Sequence, residues 1–458
     1  MKTLKNFVQT GGFKVILLIA VILLLLIPAA MIRNIIQERS MRAAGAEEEI
    51  MEAWGDQFLV LGPVLQIPLI EYEEVKIRND RGEEKTEIRE IETWLRITPG
   101  DLVADAELAT ETKKRGIFSV PLFAGEIRLK GNFDTHDLEK LIKPNQKIFP
   151  EKAELVIALS NQRGIREITK ADWNGGELDF ISGGHGFGLS ERYGDAGAGG
   201  IHSFVTLSKN MVDNFDITMG IQGGKSLRMV PLGDDTRLHI KADWPSPSFQ
   251  GAYLPAEKNI DEHGFDARWQ VNHLSRNIPS AWVGTAIDHD LYNALFGVNF
   301  FKALDHYDLN TRAAKYALLF IIVPFLSLFI LENLLKRNIH PAQYLLAGIG
   351  NLIFYLLLLA FSEHLPFPAA YWIAAPAVTL MLALYSHTLL GARNKCLLMA
   401  VVMMLCYTFL YFTLQSEDWA LLIGALGCFA ITAAVMFFTR KLDWYGKKTN
   451  GGGSDTDR

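Results

Sequence analysis

Cysteine is almost absent from this sequence, and the three that occur, Cys396, Cys406 and Cys428, lie in apolar segments near the C-terminal end. No cysteine occurs between Asn34 and Asn310. Disulfide bonds therefore cannot hold that stretch together, even in an oxidising compartment. Its fold must depend on a hydrophobic core, for which about 275 residues suffice.

An excess of basic charge is also missing. The formal net charge is −6, and the stretch between Asn34 and Asn310 has 30 Lys and Arg against 44 Asp and Glu, a balance of −14. Nucleic acids need Lys and Arg to neutralise their phosphates, and anionic lipid surfaces attract the same residues. The composition argues against both as partners of this stretch.

Charged residues are missing from the apolar run Val15–Ile32, and five more apolar runs follow between Tyr316 and Thr439. A helix needs about 20 apolar residues to cross a hydrocarbon core about 30 Å thick. We therefore predict one anchor helix and a five-helix bundle in a lipid bilayer. The short loops of the bundle alternate in charge: Lys336-Arg337, Glu363, Arg393 with Lys395, and Glu417-Asp418.

Loops rich in Lys and Arg stay in the cytoplasm. No small-x-small cleavage motif follows the first run, so we expect that helix to remain as an anchor. The predicted order is a cytoplasmic N-terminus (1–14), the anchor helix (15–33), a periplasmic β-rich domain with an N-terminal helical stalk (34–312), the bundle (316–439) and a cytoplasmic tail (440–458).

Short strand-like segments separated by turn residues fill the polar domain, which predicts a sandwich-like double sheet inserted between the first two membrane helices. Val103–Thr112 and Gly116–Phe133 are predicted to pair, and Glu154–Ser160 and Gly164–Lys170 to form a hairpin. Two segments do not fit the strand pattern. They are Asp137–Ile142 and Ser280–Ala286.

Candidate chemistry in this domain is sparse. The glycines of 183–188 and 194–200 precede no helix and no Lys-Ser/Thr pair, so they predict a loop rather than a phosphate site. The histidines lack metal-ligand spacing, and we predict no metal, no cofactor and no catalytic residue.

An aromatic strip formed by Trp244, Phe249 and Tyr253 stands out in the proline-rich segment 243–255. Three prolines exclude a central strand there. Exposed, the strip could bind a peptide or a glycan, and it is our candidate partner surface. Alternatively, the segment is a rigid strap packed on the sheet.

Polar residues within the apolar runs are few. Asn351 and His387 indicate either helix–helix hydrogen bonds or a functional site. Glu363 and His364 are expected at the outer edge of the bilayer, where water would satisfy them.

The segment before the second membrane helix is rich in polar residues, unlike a Gly/Ser/Pro linker. Asp305, His306, Tyr307, Arg312 and Lys315 are our candidate domain–bundle junction. They could pair with one another, with lipid headgroups or with the stalk.

Short motifs in one order along nearly the whole chain resemble the CreD family of inner-membrane proteins. They include Leu26-Ile27-Pro28, Gly62-Pro63-Val64-Leu65, Arg115-Gly116-Ile117-Phe118, Pro231-Leu232-Gly233, Trp244-Pro245-x-Pro247-Ser248-Phe249, Asp305-His306-Tyr307, His340-Pro341-x-Gln343-Tyr344 and Arg440-Lys441-x-Asp443-Trp444-Tyr445. The resemblance implies a Gram-negative inner-membrane protein whose production is controlled by a two-component system and whose loss or excess perturbs the envelope. It supplies no catalytic residue.

The sequence thus favours a non-enzymatic inner-membrane protein that supports envelope integrity through a periplasmic domain bound to a protein or glycan. One alternative is a component of a transport or export system, which broken helices and midplane charges would favour. Another is a carbohydrate-active enzyme, which needs two carboxylates converging in a cleft.

The predicted topology can be tested with reporters that are active only in the periplasm. Fused after Arg458, such a reporter should be silent, and fused near Asn145 it should be active, because the loop charges orient the helices. The reverse pattern would exclude this topology.

Overall fold

The computed structural model describes residues 11–78, 84–116, 118–136, 138–183, 199–208, 212–284, 288–300, 306–335, 339–390, 393–416 and 419–440. The chain divides into two compact units. One contains Gly45–Ala303, and the other contains the segments before and after it. Helix α1, Gly11–Trp54, begins in the second unit and ends in the first.

The unit Gly45–Ala303 is built mainly from strands. In chain order they are β1 (Gln57–Arg78), β2 (Glu84–Ile97), β3 (Asp101–Arg115), β4 (Phe118–Asp134), β5 (Gln146–Ile148), β6 (Glu154–Leu159), β7 (Ile165–Trp173), β8 (Gly176–Glu177), β9 (Ile181–Ser182), β10 (Gly200–Phe204), β11 (Val212–Gly223), β12 (Ser226–Met229), β13 (Asp235–Ala242), β14 (Pro247–Gly251), β15 (Glu257–Asp261), β16 (Gly264–Asn272), β17 (Ala281–Val283) and β18 (Phe296–Phe300). Two short helices, α2 (His273–Arg276) and α3 (Asp288–Asn293), lie among the last strands.

The described strands form two sheets. One has the order β14-β18-β12-β1-β6-β10-β9, in which β2 and β5 also pair with β1, and β17 pairs with β2. The other has the order β15-β16-β13-β3-β4-β11-β7-β8. Residues of both sheets, such as Leu65 and Ile67 of β1 and Leu129 and Ile217 of the second sheet, belong to one cluster of buried apolar side chains. The predicted double-sheet fold class is confirmed.

Strand pairing agrees only in part with the sequence predictions. β3 and β4 pair antiparallel, as predicted for 103–112 and 116–133. The predicted hairpin over 154–170 is wrong, because β6 pairs with β1 and β10 in one sheet while β7 pairs with β11 in the other. The 3-10 turn Gln162–Gly164 carries the chain between the sheets, and Gly164 has no room for a Cβ beside the Phe58 ring.

Two further segments complete the comparison. Segment 138–141 is a 3-10 turn, as its lack of a strand pattern predicted, but Ala281–Val283 is a strand, against prediction. This strand pairs with residues 95–97 of β2, so its conformation depends on its neighbour. Most of the glycine-rich stretch, 184–198, lies outside the described residues, as do 137 and 285–286.

Helices make up the second unit. After α1 they are α4 (His306–Lys315), α5 (Ala317–Leu335), α6 (Pro341–Ser362), α7 (Phe367–Leu390), α8 (Arg393–Gln415) and α9 (Ala420–Thr439). By length and composition, four of the described helical stretches could cross a membrane: Ile16–Trp54, Pro341–Ser362, Phe367–Leu389 and Leu397–Gln415. A shorter apolar stretch, Ile321–Glu332, lies within α5, so six crossings remain a prediction.

Hydrogen bonds connect the helices at their polar residues. Asn351 is fully buried, and its Oδ1 accepts a hydrogen bond from the Tyr407 hydroxyl at 2.8 Å. The Tyr371 hydroxyl donates to the Tyr407 carbonyl oxygen at 2.6 Å. The helix–helix interpretation of Asn351 is confirmed, while His387 is exposed on α7.

Arg276, at the end of α2, is a buried charge in the β-rich unit, with 2% of its surface exposed. Its guanidinium donates to Asp234 Oδ1 at 2.6 Å, to Ser280 Oγ at 2.9 Å and to the Leu232 carbonyl oxygen. Burial lowers the pKa of Arg276, and the Asp234 carboxylate opposes that change. The side chain therefore joins α2 to two loops at one end of the sheets.

Replacing Arg276 with alanine should lower the free energy of unfolding by about 1–3 kcal/mol, because the carbonyl oxygen of the buried Leu232 loses its hydrogen-bond partner, whereas the half-exposed Asp234 carboxylate can be solvated. Arg268→Ala is the matched control, since that side chain is 58% exposed and its ion pairs lie on the surface. The control should change stability by about 0.5 kcal/mol at most. Denaturant unfolding of both variants measures the difference, and equal losses would contradict this account.

Candidate functional site

The candidate site lies at the end of α6, where the chain turns toward α7. Glu363 follows the last residue of α6, and its backbone N–H donates to the Leu359 carbonyl oxygen at 3.2 Å. Only 12% of the Glu363 side chain is exposed. The expectation that water satisfies this carboxylate is therefore wrong.

Two side chains from distant parts of the sequence approach the same carboxylate oxygen. The Tyr307 hydroxyl on α4 donates to Glu363 Oε1 at 3.2 Å. Arg39 Nε on α1 lies 3.8 Å from that oxygen. Arg39 precedes the β-rich unit and Tyr307 follows it, so both segments that connect this unit to the helices approach one carboxylate.

A second contact fixes α4 against α6 at Ser362, the residue directly before Glu363. Asn310 is 1% exposed, and its Nδ2 donates to Ser362 Oγ at 2.8 Å and to the His306 carbonyl oxygen at 2.7 Å. Ser362 Oγ in turn donates to the Leu359 carbonyl oxygen at 3.0 Å. We call Arg39, Tyr307, Asn310, Ser362 and Glu363 the Glu363 cluster.

The contacts of the cluster differ in strength. Arg39 is 45% exposed, so its attraction to Glu363 is screened by water and contributes about 0–1 kcal/mol. A hydrogen bond to a charged group contributes about 1.5–3 kcal/mol, which favours the Tyr307 contact as the stronger one. The arrangement can hold two chain segments at a helix end, and it has no nucleophile aligned with a base.

Four of the five predicted junction residues lie in the described part of the chain. Tyr307 contacts Glu363, and the His306 ring lies 4.1 Å from the Tyr307 ring. Arg312 is half-buried and Lys315 is exposed on the same helix. Asp305 lies outside the described residues. Sequence reasoning missed Asn310, Ser362 and the role of Glu363.

The aromatic strip packs largely against the core of the β-rich unit. Trp244 is 7% exposed and meets the Phe300 ring edge-on, with 5.6 Å between centroids. Phe249 is half-buried on edge strand β14 and packs edge-on against Trp269. The half-buried Tyr253 donates its hydroxyl hydrogen to the Ser275 carbonyl oxygen at 2.8 Å. These contacts favour the interpretation of the segment as a strap packed on the sheet over an exposed strip that binds a partner.

The exposed face of the second sheet contains the carboxylates relevant to an enzymatic alternative. Glu107 of β3 and Glu126 of β4 are direct cross-strand neighbours and line one cavity of about 530 Å³. Glu107 also lines an adjacent cavity of about 620 Å³. Like charges directly opposite each other destabilise a sheet, but Lys241 of β13 lies opposite Glu107 on its other side, and Arg128 and Lys170 line the same cavity.

Other charged groups on this face are paired. Arg128 donates two hydrogen bonds to Asp216, at 2.8 and 2.7 Å, and together with Lys170 it holds the pKa of Asp216 well below its usual range. The two ring nitrogens of His239 lie 3.4 Å from Asp105 and 3.1 Å from Asp266. Within the described residues, no group of three or more His, Cys, Asp or Glu is arranged to hold a metal ion.

Comparison with known proteins identifies the family. The family model described as "Inner membrane protein CreD" matches residues 11–445. The chain belongs to the CreD family. Inner membrane protein CreD of Escherichia coli K12 is 32% identical over 436 residues, which cover 94% of this chain and 93% of that one. This CreD-family chain is thus an inner-membrane protein with several apolar helices.

Solved structures add no functional information for this CreD-family chain. Two crystal structures of an M1 zinc metallopeptidase from Deinococcus radiodurans match 42% of each chain at 9% identity, with TM-scores of 0.22 and 0.20. Similarity this low carries no argument about activity.

Replacing Asn310 with alanine should destabilise the helical unit by about 1–3 kcal/mol, because buried hydrogen-bonding groups lose their partner. Lys315→Ala on the same helix is the control, since Lys315 is exposed. Thermal unfolding of the full chain in detergent measures both variants. An unchanged melting temperature for Asn310→Ala would show that these contacts do not hold α4.

Proposed function

We propose that this CreD-family protein supports cell-envelope integrity, with its β-rich domain (34–312) in the periplasm, where it binds a protein or glycan partner. Both chain termini lie in the cytoplasm, in agreement with the alternating loop charges. By resemblance, the cell is Gram-negative and a two-component system controls production of the protein in response to stress.

The convergence of Arg39 and Tyr307 on Glu363 is the observation that carries this proposal. A domain that is only tethered needs no fixed contact at either connection. Here α1 and α4, the segments before and after the domain, both contact the end of α6. A partner that binds the domain can therefore alter the contacts of the bundle. His306, Arg312 and Lys315 extend this junction along α4, and Asp305, which lies outside the described residues, is included on the basis of the sequence.

The transport alternative would need polar groups that can bind and release a solute in the bilayer. Glu332 of α5 is 4% exposed, but its Oε2 accepts a hydrogen bond from the Tyr344 hydroxyl at 2.7 Å and its Oε1 accepts one from the Ile339 N–H at 2.9 Å. Both oxygens are therefore used in joining α5 to the start of α6, which favours a structural role.

The enzymatic alternative has one observation in its favour, the Glu107–Glu126 pair in an open cavity. Hydrolysis of a cell-wall glycan by the purified chain, lost in both Glu107→Gln and Glu126→Gln, would replace the binding proposal with this one.

The junction can be tested in cells that produce only variant protein. Tyr307→Phe combined with Glu363→Gln should increase entry of a dye that the intact envelope excludes, at unchanged protein level, because both contacts to the carboxylate weaken. Arg39→Glu should do the same, and combining it with Glu363→Arg should restore part of the barrier.

His364→Gln is the matched control for this experiment, because His364 is exposed beside Glu363. It should leave the barrier intact. If the Tyr307→Phe, Glu363→Gln variant behaves like the wild type, the junction is only a tether and the proposed coupling is wrong.

A further inference from the structure

The hairpin formed by β1 and β2 extends beyond the rest of its sheet. The two strands pair continuously from Leu65 opposite Ile97 to Arg78 opposite Glu84. β5 pairs with only residues 69–71 of β1, and β17 with only residues 95–97 of β2. We call residues 71–76 and 86–92 the ribbon. Beyond Glu71, which pairs with Gln146, and Tyr72, which is hydrogen-bonded to Asn145, the two strands continue with no other described strand beside them.

The ribbon exposes side chains on both of its faces. All residues from 86 to 92 are exposed, including Ile88 at 68% and Ile91 at 39%. A two-stranded hairpin is only marginally stable in water without a third layer. An extension of this length with exposed isoleucines is therefore suited to being covered by another molecule.

One face of the ribbon has an apolar centre and a mainly acidic rim, in which Lys76, opposite Thr86, is the basic residue. Tyr72 and Ile88 lie on this face as diagonal neighbours, since Tyr72 is opposite Glu90 and Ile88 is opposite Glu74. Diagonal neighbours on a sheet lie close enough for large side chains to touch. Glu92, opposite Ile70, extends the acidic rim toward the sheet.

The charge of the ribbon restricts the kind of molecule that can cover it. Six residues are acidic and two are basic, a balance of −4: Glu71, Glu73, Glu74, Glu87, Glu90 and Glu92 against Lys76 and Arg89. Anionic lipid headgroups would be repelled, and so would the same ribbon of a second copy. A protein surface with Lys and Arg around an apolar pocket is complementary.

We propose that the ribbon is a docking arm for a second protein, whose contact surface is apolar at its centre and basic at its rim. Tyr72 and Ile88 enter the apolar centre, and Glu74, Glu90 and Glu92 meet the basic residues. This inference rests on the proposed binding role of the β-rich domain and specifies its surface. The experiment below measures contact with a partner protein rather than the envelope barrier. The docking proposal and the proposed function can therefore fail independently of each other.

A photo-crosslinking amino acid placed at Thr86, on the same face as Ile88, tests the contact in the full chain in native membranes. The same amino acid at Lys258, exposed on β15, is the control position. We expect one adduct with a different protein from position 86 and none from position 258. Tyr72→Ser, and separately the triple change Glu74→Gln, Glu90→Gln and Glu92→Gln, should each reduce the adduct at least tenfold.

A matched triple change, Glu257→Gln, Asp261→Asn and Glu262→Gln, removes three exposed acids elsewhere and should leave the adduct unchanged. The crosslinked protein, once identified and purified, should bind the purified full chain with a Kd raised at least tenfold by Tyr72→Ser and by higher salt. All variants should melt at the wild-type temperature, because the altered side chains lie outside the core.

Four outcomes would overturn the proposal. They are an adduct between two copies of this chain, an adduct with lipid alone, no adduct from position 86, and an adduct that both ribbon variants leave unchanged. A normal envelope barrier in the ribbon variants would count against the proposed function but not against the contact.

Discussion

A hydrocarbon core offers no water to an unpaired backbone N–H or C=O group, and this constraint governs how the chain enters and leaves the membrane. The chain stays helical even at Pro324 and Pro376, which lie inside α5 and α7. Ser327 Oγ donates to the Val323 carbonyl oxygen at 2.9 Å, four residues back in the same helix, so the hydroxyl is satisfied within α5. Charged side chains are also costly in a hydrocarbon core, and Glu363 directly follows α6 while Glu332 lies in the last turn of α5.

The helical and β-rich parts of the fold were predictable because their signals are local. An uncharged run such as Val15–Ile32, or a pair of adjoining strands such as β3 and β4, shows its structure within a few residues. The assignment of β6 and β7 to different sheets was not predictable, because both have strand-like sequences and the choice of partner depends on strands far away. β1 pairs in parallel with β12, and β3 with β13, across long stretches of chain.

The candidate site was predictable to a similar extent. The polar composition of 305–315 indicated a junction and included Tyr307, but nothing near Glu363 in the sequence shows that its carboxylate is shielded. That shielding depends on α1 and α4, which are far from Glu363 in the sequence. Trp244 is a comparable case. The prolines of its segment exclude a central strand and can be read from the sequence, whereas the burial of Trp244 depends on Phe300, which is distant in the sequence.

The central strand β1 has a consequence for how the protein is made. It is the first strand to leave the ribosome, and its residues from Phe58 to Ile67 are buried on both faces once folding is complete. β2 follows at once and pairs with β1 from Leu65 onward, but the neighbours of the first half of β1 come later, since Val60 pairs with Leu159 and Gln57 with Ser226, about 100 and 170 residues further along the chain. At a synthesis rate of about 5–20 residues per second, β12 follows β1 by roughly 8–34 seconds. During that interval the edge of β1 that pairs with β12 is without its partner, and an unpaired apolar strand edge is prone to aggregation.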